Sequence, residues 1–212
     1  MTATRRTNPR EVRRLLQQEL GRTQLLDAAE EIFGTKGFHE TTLKEIADRA
    51  DFSVGSVYSF FENKDDLYES VWLRRGAEFL AGFEEALSGS ASGLDGIARI
   101  VTYEVEFLRA RPSFADLYLR TTGSLVPVAN EQTSDRIVEN ARHILGRQAE
   151  VIVEGQADGS VRGGDPAALS RLLSGMVQSF QAVDSDAGRS PGASLGLDAF
   201  LEIVAAAFGV RS

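Results

Sequence analysis

The 212-residue sequence predicts an all-α protein, and three observations carry that reading. Residues 41–67 have the punctuation of two short helices joined by a tight turn, with a third helix starting directly after them. Leu169, Leu172, Leu173, Met176, Val177 and Phe180 recur at helical spacing, and Leu197, Phe200, Leu201, Val204 and Phe208 repeat the pattern. No strand-like alternation and no internal repeat interrupts this.

In chain order, Asn8-Pro9 with Glu11 predicts a helix start, with proline at the first helical position. Val12, Leu15, Leu16 and Leu20 give it a short apolar stripe, which Gly21 is expected to break. A helix follows from about Arg22 to Lys36, with Gly37 predicted to close it in a left-handed cap and Phe38 to fold back onto the core. Thr42 and Glu45, three apart, fit a capping box, and Leu43, Ile46, Ala47 and Ala50 form the apolar stripe behind it. Asp51 occupies the turn, where a short polar side chain tolerates positive φ. Ser53 caps the next helix, whose Val57 and Phe61, four apart, face inward.

A long helix is expected from Lys64 to about Leu87, its Asp65 and Asp66 placed favourably at the positive end of the helix dipole. The serine- and glycine-rich run 88–93 is a loop. Further helices are predicted over 94–110, 113–122 and 135–157, divided by Pro112 and by the loop around Pro127. Turns at 158–160 and 163–164 precede a helix capped by Asp165-Pro166. Residues 184–194 read as a loop before the last helix.

The charge is distributed unevenly. Residues 1–22 hold six arginines against Glu11 and Glu19, residues 1–64 balance ten basic against ten acidic groups, and residues 65–212 carry the whole net charge of −8. That asymmetry suits a protein that docks one end on phosphates. With no cysteine, disulfides and thiolate metal sites are excluded, and neither a signal core nor a membrane-length apolar run occurs, so a cytoplasmic protein without membrane contact is expected.

Catalysis has little to stand on. His39 reads as a surface turn residue and His143 as a polar edge of a helix, and there is no phosphate-binding glycine loop or metal-ligand pair. Glu104 and Glu106, two apart, fall on different helix faces and read as solvated. No enzyme activity, cofactor or metal is expected.

Residues 24–71 resemble the DNA-binding domain of the tetracycline-repressor (TetR) family. The resemblance rests on Ala28-Ala29 with Ile32-Phe33, Lys36-Gly37-Phe38, Thr41-Thr42, Ile46-Ala47, Ser53, Tyr58, Phe61, and Asn63-Lys64 before Leu67. It covers under a quarter of the chain. Two positions depart from the pattern: Asp51 stands where a turn glycine is common, and Phe60 where His or Tyr is usual.

The resemblance implies an N-terminal three-helix helix-turn-helix DNA-binding domain joined to a C-terminal helical ligand-binding and dimerisation domain. The expected division is a basic arm at 1–21, the reading head at 22–68 and an effector-binding and dimerisation domain at 69–212. The implied partners are double-stranded operator DNA, a second copy of the chain and an unidentified small-molecule effector. The implied function is a ligand-responsive regulator, by the family's usual mode a repressor. A DNA-binding regulator or architectural protein without an effector remains the alternative.

By the same resemblance Thr42, Lys44, Tyr58 and Lys64 contact phosphates, while Ser53, Val54, Gly55, Ser56, Ser59 and Phe60 fall in the groove-facing stretch. These side chains are small, with no Arg, Asn or Gln for bidentate base recognition, so base reading leans on Val54 against thymine methyls, on hydroxyls and on DNA shape. Arg5, Arg6, Arg10, Arg13 and Arg14 form either a phosphate-gripping arm or a solvated basic tail.

The aromatics Trp72, Phe79, Phe83, Tyr103, Phe107, Phe114 and Tyr118 serve as core or as pocket wall, with Tyr103, Phe107, Tyr118, Met176 and Phe180 the expected lining of an effector site. Leu169, Leu172, Leu173, Val177, Phe200, Leu201, Val204 and Phe208 either fill the subunit's own core or meet the same helices of a second subunit in a four-helix bundle.

Overall fold

The computed structural model describes residues 8–121, 134–187 and 195–210, and over these the chain is all-α. Its helices are α1 (Pro9–Lys36), α2 (Leu43–Arg49), α3 (Val54–Val57), α4 (Lys64–Leu87), α5 (Gly93–Arg109), α6 (Pro112–Thr121), α7 (Asp135–Ala157), α8 (Pro166–Ala187) and α9 (Leu197–Phe208). The loop around Pro127, most of the loop before α9, and Arg5 and Arg6 lie outside the described residues.

Local chemistry sets most of the ends. The Thr42 hydroxyl accepts from the Glu45 amide at 3.3 Å while Glu45 takes the Thr42 amide at 2.9 Å, completing the capping box of α2. Ser53, Asn63, Ser92 and Ser134 cap α3, α4, α5 and α7 in the same way, and Asp165 accepts from Ala168 at 3.0 Å to open α8. Asp51 turns the chain between α2 and α3 at φ 59°.

Two expectations change. Gly37 has φ 84° and ψ 170°, so it closes α1 in an extended positive-φ conformation rather than a left-handed helical one. Gly21 does not break the chain, since α1 runs through it without interruption. The reason is a close approach: a Cβ on Gly21 would lie 3.1 Å from the Phe60 ring and 3.3 Å from that of Phe52. The cost of about 1 kcal/mol for a helical glycine is outweighed by that contact and by good helix formers on either side.

The core runs through the whole molecule. At one end Leu25, Ala29 and Phe33 of α1 pack on Ile46, Ala47, Val57, Phe61 and Leu67, all of them buried. At the other end α5 is the central helix, packed by α4, α6, α7, α8 and α9. An isolated antiparallel bridge between Val161 and Gly209 ties the α7–α8 turn to the end of α9.

The two ends meet along α1, α4 and α6. Gly34 lets α1 close on the start of α6, where an added Cβ would stand 2.3 Å from the Ser113 carbonyl oxygen. Arg120 at the end of α6 donates to the carbonyls of Gly34 at 2.8 Å and Thr35 at 3.0 Å. The buried Glu30 carboxylate bridges Arg74 and Arg75 of α4, fixing α1 against that helix.

Candidate functional sites: a DNA-reading surface and an internal cavity

The α2–α3 unit presents a small polar surface. Thr42, Lys44, Ser53, Gly55, Tyr58 and Ser59 are exposed, Tyr58 at 57% of its area. Its hydroxyls are held in place locally: Ser53 Oγ lies 2.8 Å from Ser56 Oγ and accepts from the Ser56 amide, and Ser59 donates to the Ser56 carbonyl at 2.6 Å. Each hydroxyl keeps lone-pair capacity for an outside partner. Behind them the Lys36 ammonium, then the Thr42 amide and hydroxyl, hold the Glu45 carboxyl down at about 2.

Three of the expected contact residues are turned inward. Phe60 is half-buried, edge-on to Phe52 at 6.2 Å and against Gly21, so it joins α1 to α3 rather than facing outward. Val54 is half-buried against the same core, leaving only part of its side chain for a thymine methyl. Lys64 sits 4.2 Å over the Phe38 ring and donates to the carbonyls of Phe38 at 2.9 Å and Thr41 at 3.0 Å, which leaves one N–H for a phosphate. The sequence pattern does not separate these roles, because a lysine that closes a turn and one that meets a phosphate look alike.

The second site is a partly open cavity of about 120 Å³ between α4, α5, α6, α7 and α8. Its wall is mainly Trp72, Phe79, Phe107, Phe114, Ile137 and Ile144. Of the expected lining, Phe107 and Tyr118 are present, whereas Tyr103, Met176 and Phe180 are elsewhere. Tyr103 reaches across α5–α4 to donate to the Phe79 carbonyl at 3.1 Å, Phe180 stacks on Phe200 at 4.4 Å between α8 and α9, and Met176 packs on the main core. Helical spacing identified the right helix for Tyr103 but not which side of it the hollow lies.

The cavity's polar groups correct the reading of Glu104 as solvated. That residue is 8% exposed and on the wall, because α5 is covered on several sides and not one. Burial alone raises its carboxyl to about 7, and no ion pair reaches it among the described residues. Trp72 Nε1, also on this wall, is buried with no hydrogen-bond partner among the described residues. Arg75 also borders the space, but its guanidinium is committed to Glu30 and Glu78. Gln148, which accepts from Ser174 at 2.9 Å and Ser170 at 3.2 Å, completes the polar side.

The apolar stripes of α8 and α9 also resolve differently. Leu173, Val177, Phe200, Val204 and Phe208 are buried within the single chain, so these five fill its own core, and Leu169 and Leu201 are half-buried against it. Leu172 alone of the expected interface is exposed, at 54%; Val183 on α8 and Ile203 on α9 are exposed as well. His39 and His143 are exposed, and no cluster of metal-ligating side chains occurs among the described residues. No helix among them is long and apolar enough to cross a membrane.

Comparison with known proteins agrees with this architecture. Residues 25–71 match the family described as bacterial regulatory proteins, tetR family. The chain is 35% identical over 119 residues to the HTH-type transcriptional repressor KstR2 of Rhodococcus jostii, covering 52% of this chain and 53% of that protein. It is 39% identical over 135 residues to the HTH-type transcriptional activator FasR of Mycolicibacterium smegmatis, covering 60% of this chain and 62% of that one. The crystal structure of the Bacillus subtilis transcriptional regulator FadR in complex with stearoyl-CoA superposes with a TM-score of 0.74 at 20% identity, over 89% of this chain and 99% of that one, a likeness of fold. These relatives are regulators of transcription and not enzymes. Residues 25–71 thus match the tetR family of bacterial regulatory proteins, and the fold of the chain as a whole is like that of the Bacillus regulator.

Proposed function

We propose that the chain is a homodimeric regulator, acting as a repressor, that holds two-fold symmetric operator DNA through α2 and α3. It releases the DNA when a small, largely apolar effector fills the α4–α8 cavity. The observation that carries this reading is the course of α6. Its Phe114 and Tyr118 are cavity wall, while its last turn grips α1 through Arg120. A molecule that moves α6 therefore moves the end of the helix on which α2 and α3 are seated.

The cavity's size and chemistry narrow the effector. Ligand sites commonly hold about 300–1,000 Å³, so a molecule of ordinary size must push apart walls that now leave about 120 Å³. That displacement supplies the differential affinity between two states which a switch requires. The aromatic wall favours a bulky apolar body, and the buried Glu104 carboxyl, protonated below about 7, with the Trp72 N–H favours one uncharged oxygen on it. The stearoyl-CoA bound by the Bacillus regulator supports an acyl compound as one candidate.

For the dimer, Leu172 and Val183, eleven residues apart on one side of α8, and Ile203 on α9 are the exposed apolar side chains available for pairing. Two-fold pairing there would present two α3 helices to a symmetric DNA site. The DNA-facing set is Thr42, Lys44, Ser53, Gly55, Tyr58 and Ser59, with Ser56 behind them.

The test is a panel of acyl, steroidal and aromatic compounds screened by thermal shift and then by displacement of bound DNA. A true effector at a hundred times its Kd stabilises the protein by about 2.7 kcal/mol and also lowers DNA affinity. Arg120→Ala is expected to keep the thermal shift and lose most of the displacement. A compound that fills the cavity yet leaves DNA affinity unchanged in the unaltered protein would refute the switch.

A further inference from the structure

The N-terminal half of α1 does something that the head does not explain. From Asn8 to Leu20 every residue is exposed, although Val12, Leu15, Leu16 and Glu19 border an open groove with Ser59 and Phe60. The segment is equipped to remain helical without cover. Asn8 accepts from the Arg10 amide at 3.0 Å, Pro9 occupies the first helical position, and the interior is Arg, Leu, Gln and Glu. Its other end grows out of the packed turns at Gly21 and Leu25, which removes the cost of nucleation.

The register of this projection is informative. Gly21 rests on the rings of Phe52 and Phe60, the residues next to Ser53 and Ser59 at the two ends of the α3 turn. Arg14 is seven and Arg10 eleven residues before Gly21, so at about 100° per residue both lie within about 20° of the same line along the helix. They extend that line about 10 Å and about 16 Å beyond Gly21. Gln17 and Arg13 lie about 40° and about 80° to one side of it, Glu11 about 80° to the other, and Glu19 nearly opposite. Among the described residues, Arg10, Arg13 and Arg14 make no side-chain ion pair.

We infer that this half of α1 is a rigid arm whose Arg10 and Arg14 hold DNA phosphates flanking the half-site read by α3. The inference rests on the proposed DNA-binding function and adds a partner surface to it. Charge complementarity selects the occupant, since the arm lies within residues 1–22, which hold six arginines against Glu11 and Glu19 in a chain whose net charge is −8. An anionic membrane is the other surface that a helix bearing both Arg and Leu could meet. It is disfavoured because the acidic remainder of the chain, fixed to the same helix, would be carried toward the negative headgroups.

The experiment compares the unaltered protein with Arg10→Gln/Arg14→Gln and Arg10→Lys/Arg14→Lys on a random-sequence 40-bp duplex, an arbitrary length chosen at about four helical turns. Binding is measured across a salt series. The glutamine pair should reduce the slope of log K against log salt by about 1.8 per bound subunit, at about 0.9 per phosphate. The lysine pair should restore it, and both should melt as the unaltered protein does. An unchanged slope in the glutamine pair overturns the arm. So does a result in which the glutamine pair loses only its pelleting with phosphatidylglycerol vesicles, which would assign the arm to a membrane. If the unaltered protein binds no duplex at any salt, the proposed function itself fails, and the two failures are thus distinguishable.

Discussion

The helix-turn-helix end and the α5-centred end of this protein are built from similar aromatic and aliphatic side chains, yet they are packed to different standards. Around Phe33, Ile46, Val57, Phe61 and Leu67 exposure is 0–2%. The polar groups there serve caps, turns or the outer surface. Around α5 the same kinds of residues line a partly open hollow of about 120 Å³ that holds a buried carboxyl and an indole N–H with no partner among the described residues. A filled core has one arrangement and transmits displacement as a unit, whereas a hollow with unsatisfied polar groups has free energy to gain from a guest. Under the proposed switch this is a division of labour: one end keeps its shape so that it can be moved, and the other changes shape so that it can move it.

The largest test of the contrast is truncation in the filled end. Phe61→Ala should cost about 3–5 kcal/mol in urea denaturation and remove DNA binding with it. A loss below about 1 kcal/mol would mean that the head is not close-packed.

Enlargement should separate the two ends more sharply. Ala29→Leu adds volume where exposure is 0%, and should cost about 1–3 kcal/mol. Ala141→Leu adds the same volume on the cavity wall, and should be neutral or stabilising while it abolishes any effector-induced thermal shift. Equal penalties for both substitutions would erase the comparison.

The smallest expected effect lies in pH. Glu104 is protonated in the fold up to about 7, whereas its unfolded counterpart ionises near the ordinary value of 4.5. Between those values the folded state binds the extra proton, so this group makes stability fall as pH rises, by at most about 3 kcal/mol, and the effect levels off above about 7. Glu104→Gln should flatten that window and leave the protein relatively more stable at pH 8. A melting profile that matches the unaltered protein from pH 4.5 to 8 would show that the carboxyl is not desolvated.

Helix boundaries could be read from the sequence because caps are local: Thr42, Ser53, Asn63 and Asp165 each act within three residues of themselves. What failed was whatever depends on a distant partner. Gly21 was expected to break a helix because the sequence does not show the Phe52 and Phe60 rings that press on it. Glu104 read as solvated because helical spacing assigns one buried face, whereas α5 is covered on several. The stripes on α8 and α9 show that a face is covered but not by what, and Phe180 on Phe200 gives the answer for the inner half of it. Of the cavity, Phe107 and Tyr118 followed from aromatic content. Gln148 and Ser174 carried no signal, since one polar residue on an apolar stripe is ordinary.

The most direct measurement is selection of the duplex that the purified protein protects from a random library, followed by footprinting. Two symmetric half-sites are expected, spaced by whole turns of the double helix, about 10 bp or a multiple of it, with Ser53→Ala and Tyr58→Phe weakening the protection. Protein that shows no preference for any fragment over random competitor, or that protects a single unsymmetric site, would contradict that expectation.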